Sequence, residues 1–443
     1  MRIELSGHYS VRRLLVSAVP SIVMILVTSL YSIVDGVFVS NFAGTTPFAA
    51  LNLMWPAMQV VTVLGLMVGT GGSALVSKTK GEGDDKKADA IFSTLVRFTL
   101  LLGVIMGALF FILTPEIARW LGAEGELLRQ SVIYARICIS VAPVFMIQMA
   151  FNSFFMAAEK PQLGTALSIA SGITNIIVDA VLIVWLKMGI AGAAIGTASG
   201  MAVGGLYPIF YFSSKRNSSS LHLVKNTAEF RHVLKACSNG LSEYVGNIAL
   251  SVVSICYNVQ LMKYLGENGV SVYGILMYLG FAFASLFIGY NIMATPVIGY
   301  NYGAGNRAEL KSLLNKSMGI VLTTGILLAG IVITLARPLA TIFVSYDPEL
   351  MNLAVRAIRI YFISFTICGI NMFTSAWFTG LNNGIVSAIA AFARTLVFEL
   401  GAVFVIPALF GIDAIWAAVN VAEVLALILS AALIFAFRRR YGY

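Results

Sequence analysis

Six ionisable residues stand inside otherwise apolar stretches of this sequence: Asp35, Asp179, Glu243, Arg394, Glu399 and Glu423. A charged side chain within a bilayer costs about 2.5–3.5 kcal/mol on insertion scales, so each is a functional candidate by default. At a rise of 1.5 Å per residue, Asp35 lies about 9 Å and Asp179 about 12 Å from the outer ends of their runs. The two carboxylates therefore share a level. Asn175 precedes Asp179 by one helical turn on the same face, and Thr197 falls about 10 Å from the outer end of the following run. Such a group can hold one proton between its carboxylates, because like charges in a low-dielectric site oppose joint ionisation. It can equally cage a small hard cation, since every donor is oxygen, or simply join helices by hydrogen bonds.

Glu243 lies at a different level, about seven residues into its run from the other side. It offers a substrate counter-ion or a second protonation site, against the alternative of a hydrogen-bonded buried carboxyl. Arg394 and Glu399 share a run at a spacing poor for direct pairing, and structural neutralisation accounts for them. Glu423 is similar and takes no assigned role. Arg136 and Arg359, near outer ends, suit snorkelling to the interface.

These residues need helices that cross a membrane. The chain has 443 residues, of which 59% are hydrophobic and 11% charged, with a mean hydropathy of +0.89. A span takes about 20 apolar residues, and such runs fall at roughly 14–40, 47–77, 90–113, 127–157, 161–186, 190–213, 236–263, 269–300, 312–335, 351–380, 384–409 and 411–437. The expected fold is an all-α integral membrane protein of twelve transmembrane helices in two six-helix bundles. Continuous rather than alternating apolar runs exclude a transmembrane barrel. The first run has no small-residue cleavage site after it and is expected to be retained.

Lys and Arg concentrate in alternate connectors, including Arg12, Arg13, Lys78, Lys80, Lys86, Lys87, Lys160, Lys215, Arg216, Lys311, Lys316 and Arg438 to Arg440. Basic loops stay in the cytoplasm, so both termini are expected there, in a multi-pass protein of the plasma membrane. The net charge of +9 then reports topology, not nucleic-acid binding, which would need one continuous basic face. The polar stretch 214–234 divides the chain into an N-terminal lobe, 1–213, and a C-terminal lobe, 235–443. Across it runs a repeat: Gly44 matches Gly266, Gly83 matches Gly305 and Gly189 matches Gly411 at one offset, while Pro115 and Pro338, and Phe155 and Phe378, match one residue further on. Each half holds an even number of spans, so the repeats are parallel and should leave a cleft between two bundles. At the repeat offset Asp35 corresponds to Tyr257, and Asp179 to Gly401 or Ala402. The acidic pair belongs to the first half alone, with Glu399 close to the Asp179-equivalent position.

Other chemistries lack their raw material. The cysteines Cys138, Cys237, Cys256 and Cys368 show no paired or metal-ligand spacing, and the three histidines lie in polar segments, so no enzyme and no resident cofactor is indicated. Gly69 to Gly72 lies within a span and lacks the lysine of a phosphate loop. Uphill transport must therefore draw on an ion gradient. The stripe Gly192, Gly196, Gly200 and Gly204 gives a smooth face for close helix packing.

The chain resembles the multidrug and toxic compound extrusion (MATE) family, in particular its DinF-type branch. The resemblance rests on the six-plus-six layout, the run from Pro20 through Asp35-Gly36-Val37-Phe38, the segment Lys80-Gly81-Glu82-Gly83-Asp84, Asn175-Ile176-Ile177-Val178-Asp179, and Gly196-Thr197. It implies that Asp35, Asn175, Asp179 and Thr197 form a first-lobe cation site, a metal site if sodium is the ion, and that Pro20 is tied to bending of the first helix. It further implies an antiporter that exports amphipathic, often cationic small molecules against protons or sodium, functional as a monomer. The second-lobe acidic pair of another branch has no clear match, Glu243 being offset from it. The alternatives are a flippase-like exporter of a lipid-linked or other metabolite, which should present basic residues to an anionic head group, and an ion channel, which needs a continuous polar pathway.

Overall fold

In lipid every backbone polar group must be paired within the segment, so apolar runs of this length close as helices. The computed structural model describes residues 4–344 and 347–443, and every regular element among them is helical. Helix α1 spans Val11–Phe38 and continues through a wider π-type turn, Val39–Ala43. Then come α2, Thr45–Gly81; α3, Asp85–Trp120; α4, Gly125–Ser140 with Ala142–Ala157; α5, Pro161–Asp179 running on through the π turn Ala180–Trp185; and α6, Gly189–Ser213. The second half starts with Phe230–Gly303, which breaks at Gly266 (φ 61°, ψ −153°) into α7, 230–265, and α8, 267–303. It continues with α9, Arg307–Thr334; a short helix, Ala336–Val344; and α10, Pro348–Tyr361 joined through Phe362–Ser364 to Phe365–Gly380. Last come α11, Gly384–Phe392 through the π turn Ala393–Glu399 to Leu400–Phe410, and α12, Ile412–Ala417 with Ala418–Tyr441.

Twelve described helices are thus long and apolar enough to cross a membrane, counting α7 and α8 separately and α4 as one bent span. Two details were not expected. Helix α4 turns by 61° between Ser140 and Ala142, because Pro143 has no N–H to continue the ladder and its ring crowds the preceding turn. The short helix Ala336–Val344 lies between α9 and α10.

The repeat is visible in the backbone. Gly44 and Gly266 both hold positive φ (107° and 61°), as do Gly83 and Gly305 (85° and 67°) and Gly189 and Gly411 (57° and 83°). Each pair punctuates the same interhelical corner in its half, in a conformation that L side chains rarely adopt.

The halves meet closely at the end that carries the basic loops. A Cβ on Gly81 would lie 2.0 Å from the carbonyl oxygen of Tyr300, and one on Gly303 would lie 1.9 Å from that of Lys78. Further in, Gly71 is as close to the Ala236 carbonyl of α7 (2.0 Å). Asn239 of α7 donates to the carbonyls of Gly71 and Thr379. A strap formed by residues 4–10 crosses this end. The Leu5 N–H donates to the Glu159 carboxylate beside α4 (2.9 Å), while the Tyr9 N–H donates to the Glu309 carboxylate on α9 (2.8 Å). His8 Nδ1 also meets Glu309 (2.7 Å), and Lys316 Nζ donates to the Tyr9 carbonyl (2.7 Å). The connector after α6 is pinned as well. The N–H groups of His222, Val224 and Ala228 donate to Asp89, Ser93 and Thr94 on α3.

Candidate ion-binding site of the first half

Helix rise puts Asp35 and Asp179 at one level, and the packing of α1 against α5 and α6 brings them face to face. The Asp35 carboxyl interacts directly with that of Asp179 and with the Thr197 hydroxyl, and Asn175 stands beside Asp179. All four are buried: Asp179 is 0% exposed, Asn175 2%, Thr197 7% and Asp35 8%. Asp179 ends the regular part of α5 where its π turn starts, and Asp35 lies one turn before the π turn that widens α1 after Phe38. Such turns free backbone from the regular ladder and recur at functional sites.

Proximity here does not amount to mutual satisfaction. Asp35 Oδ1, both carboxylate oxygens of Asp179, Asn175 Oδ1 and Thr197 Oγ1 are buried atoms without a hydrogen-bond partner among the described residues. No Lys, Arg or His forms an ion pair with either aspartate among those residues. Buried polar atoms are normally paired, so this cluster of unpaired oxygens, with no cationic side chain paired to it among the described residues, is a candidate site for a positive charge. Oxygen ligands of this kind suit a proton shared between carboxylates or a hard monovalent cation.

The surrounding helices explain how the cluster is held. Gly196 on α6 allows the approach: a Cβ there would sit 1.9 Å from Asp179 Oδ1 and 2.8 Å from its Cγ. The glycine stripe on α6 therefore does more than pack helices, because one of its members is the floor of the site. One turn away, a Cβ on Gly200 would meet the Ser171 carbonyl at 2.9 Å and Asn175 Cβ at 3.1 Å. Below that, Gln148 donates to Ser171 Oγ (3.2 Å), which donates to the Gly200 carbonyl (2.7 Å). Tyr134 and Cys138 on α4 complete the wall. The Tyr134 hydroxyl lies against Cys138 and Thr197, is fully buried, and has no hydrogen-bond partner by geometry. Sequence reasoning missed both, because a neutral phenol and a thiol carry no insertion penalty comparable to a charge. The signal available was their one-turn spacing on α4.

The remaining sequence candidates lie elsewhere. Pro20 is inside α1, whose helical backbone runs through it, and its carbonyl accepts a hydrogen bond from Thr165 of α5 (2.9 Å). Helix α1 thus meets α5 at two levels, through a hydrogen bond at Pro20 and through the approach of Asp35 to Asp179. Glu243, on α7, is not brought to the aspartates, and its carboxylate makes no hydrogen bond or ion pair among the described residues. Glu423, given no role from sequence, is the ion-pair partner of Arg394: Arg394 Nε and Nη2 lie 2.8 and 2.6 Å from Glu423 Oε1, and Asn371 donates to Oε2 (2.6 Å). Neutralisation of Arg394 comes from α12 and not from its own helix. Arg136 lies over the Phe111 ring, 5.0 Å from its centroid.

The MatE family profile matches residues 20–181 and again residues 244–405, one copy in each half. The chain belongs to the MATE family of transporters. Its similarity to the multidrug export protein MepA of Staphylococcus haemolyticus (strain JCSC1435) is 25% identity over 426 residues, 96% of this chain and 93% of that protein. Among solved structures, the chain superposes on an outward-facing multidrug resistance MATE transporter of the MOP superfamily with a TM-score of 0.91, at 22% identity, covering 99% of this chain and 97% of that one. It superposes as closely (TM-score 0.90, 23% identity, 99% and 97% covered) on a MOP superfamily transporter of Pyrococcus furiosus, described by the reversed polarity of its binding pocket. This MATE protein is accordingly a multi-pass membrane transporter and not an enzyme, with the two six-helix halves of that fold.

Proposed function

We propose that this MATE transporter is a secondary antiporter of the plasma membrane, with both termini in the cytoplasm, that exports amphipathic, often cationic organic compounds in exchange for protons or sodium. The observation that carries the proposal is the set of five buried, unpartnered oxygen atoms on Asp35, Asn175, Asp179 and Thr197. Two carboxylates without a cationic neighbour cannot both remain ionised and unaccompanied in a dry pocket, because an unpaired buried charge costs several kcal/mol (roughly, after relaxation). Loading one proton or one monovalent cation removes that cost.

Coupling follows from helix α1. It carries Asp35 near one end and Pro20 near the other, where the ring removes a ladder hydrogen bond and permits bending. An ion that draws Asp35 and Asp179 together alters the seat of α1 on α5, and the tie between Thr165 and Pro20 passes that change along the helix. Charge withdrawn from the cleft no longer holds a cationic substrate, so ion entry promotes release. Glu243 is then a proposed counter-ion for substrate in the second half. The cleft between two halves of one chain supports function as a monomer, with no cofactor beyond the coupling ion. Inward movement of one positive charge gains about 2.3 kcal/mol per 100 mV, and exporting a monovalent cation returns it, so potential-driven export of such substrates requires more than one ion per cycle. Export of a fluorescent organic cation from reconstituted vesicles, under proton and sodium gradients imposed separately, tests the reading. Acceleration by one gradient, absent in Asp35→Asn, is expected; export indifferent to both gradients overturns it.

A further inference from the structure

Three cations gather where the two halves meet at the end that carries the basic loops. Lys235 of α7 lies within electrostatic range of Lys78 on α2 and of Arg440 on α12, so one charge comes from the first half and two come from the second. The Lys78 ammonium stands over the Tyr302 ring of α8, 5.6 Å from its centroid, and the Arg440 guanidinium over the Tyr441 ring at 5.7 Å. Those two rings meet edge to face with centroids 5.5 Å apart. The aromatic pair joins α8 to α12 and carries a cation on each ring.

The charge count at this seam does not balance. Lys78 pairs with Glu82 one turn along α2 (3.2 Å), whereas Lys235 and Arg440 form no hydrogen bond or ion pair among the described residues. Lys78 and Arg440 lie in the last turns of α2 and α12, where the helix dipole favours a cation. Lys235 stands near the start of α7, where a helix offers a cation no such stabilisation. A second feature is an apolar wall beside these charges. Phe230, Leu234 and Leu241 are exposed and spaced by four and seven residues, so they share one face of α7. Ile385 of α11 is exposed as well and stands close to them, because Gly384 packs on the Ser238 carbonyl oxygen, 2.1 Å from its Cβ position.

We infer that Lys78, Lys235 and Arg440 bind the phosphate of an anionic phospholipid from the leaflet on this side, with an acyl chain lying along Phe230, Leu234, Leu241 and Ile385. Basic pockets between spans at the positively charged end of a membrane protein recognise phosphate head groups. A phosphodiester supplies the negative charge that the seam lacks, and the apolar wall selects a lipid over free phosphate. The cations belong to both halves, so a bound lipid fastens the halves to each other at this end. The site requires neither a coupling ion nor a particular orientation of the chain.

Binding of phosphatidylglycerol to the purified full-length transporter in detergent, counted by native mass spectrometry, tests the site. Phosphatidylcholine is the neutral comparison and inorganic phosphate the soluble one. One Lys or Arg beside an anionic head group is worth about fivefold in affinity, so joint Lys235→Gln and Arg440→Gln should weaken phosphatidylglycerol binding roughly 25-fold and leave phosphatidylcholine unchanged. Joint Lys86→Gln and Lys87→Gln removes the same charge from the start of α3 and should keep the native affinity, as should Lys235→Arg with Arg440→Lys. Should the first double variant fail to fold, Lys78→Gln takes its place, with a loss of about fivefold expected. Native affinity in the seam variant, or an equal loss in the α3 variant, overturns the inference. Inorganic phosphate that binds with the same dependence on Lys235 and Arg440, and that phosphatidylglycerol does not displace, assigns the cations to a soluble anion and overturns the lipid site.

Discussion

Replacing Gly196 by alanine tests whether the first-half cluster works as a fitted site. The new Cβ would sit 1.9 Å from Asp179 Oδ1 and 2.8 Å from Cγ, where ordinary contact begins at 3.4 Å. Both atoms must retreat, so rotating the carboxylate alone does not relieve the clash, and the oxygen must move by roughly 1.5 Å from ordinary contact geometry. Overpacking of this kind costs about 1–3 kcal/mol. Alanine meanwhile improves helix propensity by about 1 kcal/mol over glycine, which offsets part of that cost in overall stability. The loss is thus directed at Asp179. At about 1.4 kcal/mol per tenfold, affinity for the coupling ion should fall by about 5–150-fold while the unfolding temperature changes little. Ion titration of purified protein, with Gly246→Ala as the control because nothing lies within 4 Å of its Cβ position, gives the comparison. Native ion affinity in Gly196→Ala would refute the idea that this glycine seats the carboxylate.

Three further outcomes are expected. Asp35→Asn or Asp179→Asn should abolish ion-coupled export yet insert normally, since each removes a charge costing about 2.5–3.5 kcal/mol to place in the bilayer; coupled export by both well-expressed variants counts against the site. Glu423→Gln should destabilise the second half by about 3–5 kcal/mol, because it leaves Arg394 buried without its partner; joint replacement of both by methionine should restore much of the loss in chemical denaturation, and an equally unstable double variant would show that the pair itself is not the cause. Single cysteines at Thr45 and Lys187 should react with an impermeant reagent from outside, and one at Gly83 should not. Gly83 bears this test of orientation, because Ser219 is buried and would be protected on either side.

Spans were legible from the sequence because lipid allows few alternatives, and the corners at Gly44, Gly266, Gly189 and Gly411 were legible because the repeat returned the same residue to the same place. The meeting of Asp35 with Asp179 was legible for a related reason: helix rise converts sequence distance from a membrane edge into depth, and matched depth is half of a contact. The other half, which faces turn toward each other, was not available. Hence Tyr134 and Cys138 were missed, and Gly196 was recognised as smooth without its partner being known. The partner of Arg394 was missed for the same cause, since Glu423 reaches it from another helix. The bend in α4 could have been read from Pro143, but several other prolines, Pro20 and Pro56 among them, sit within helices that continue through them.

Competition between ion and substrate is the central claim, and direct binding is its most immediate measurement. Affinity of the purified transporter for one organic cation, followed as protons and then sodium are raised in turn, should fall with the coupling ion. In Asp35→Asn it should stay constant across the same range. An affinity in the native protein that ignores both pH and sodium would contradict the account.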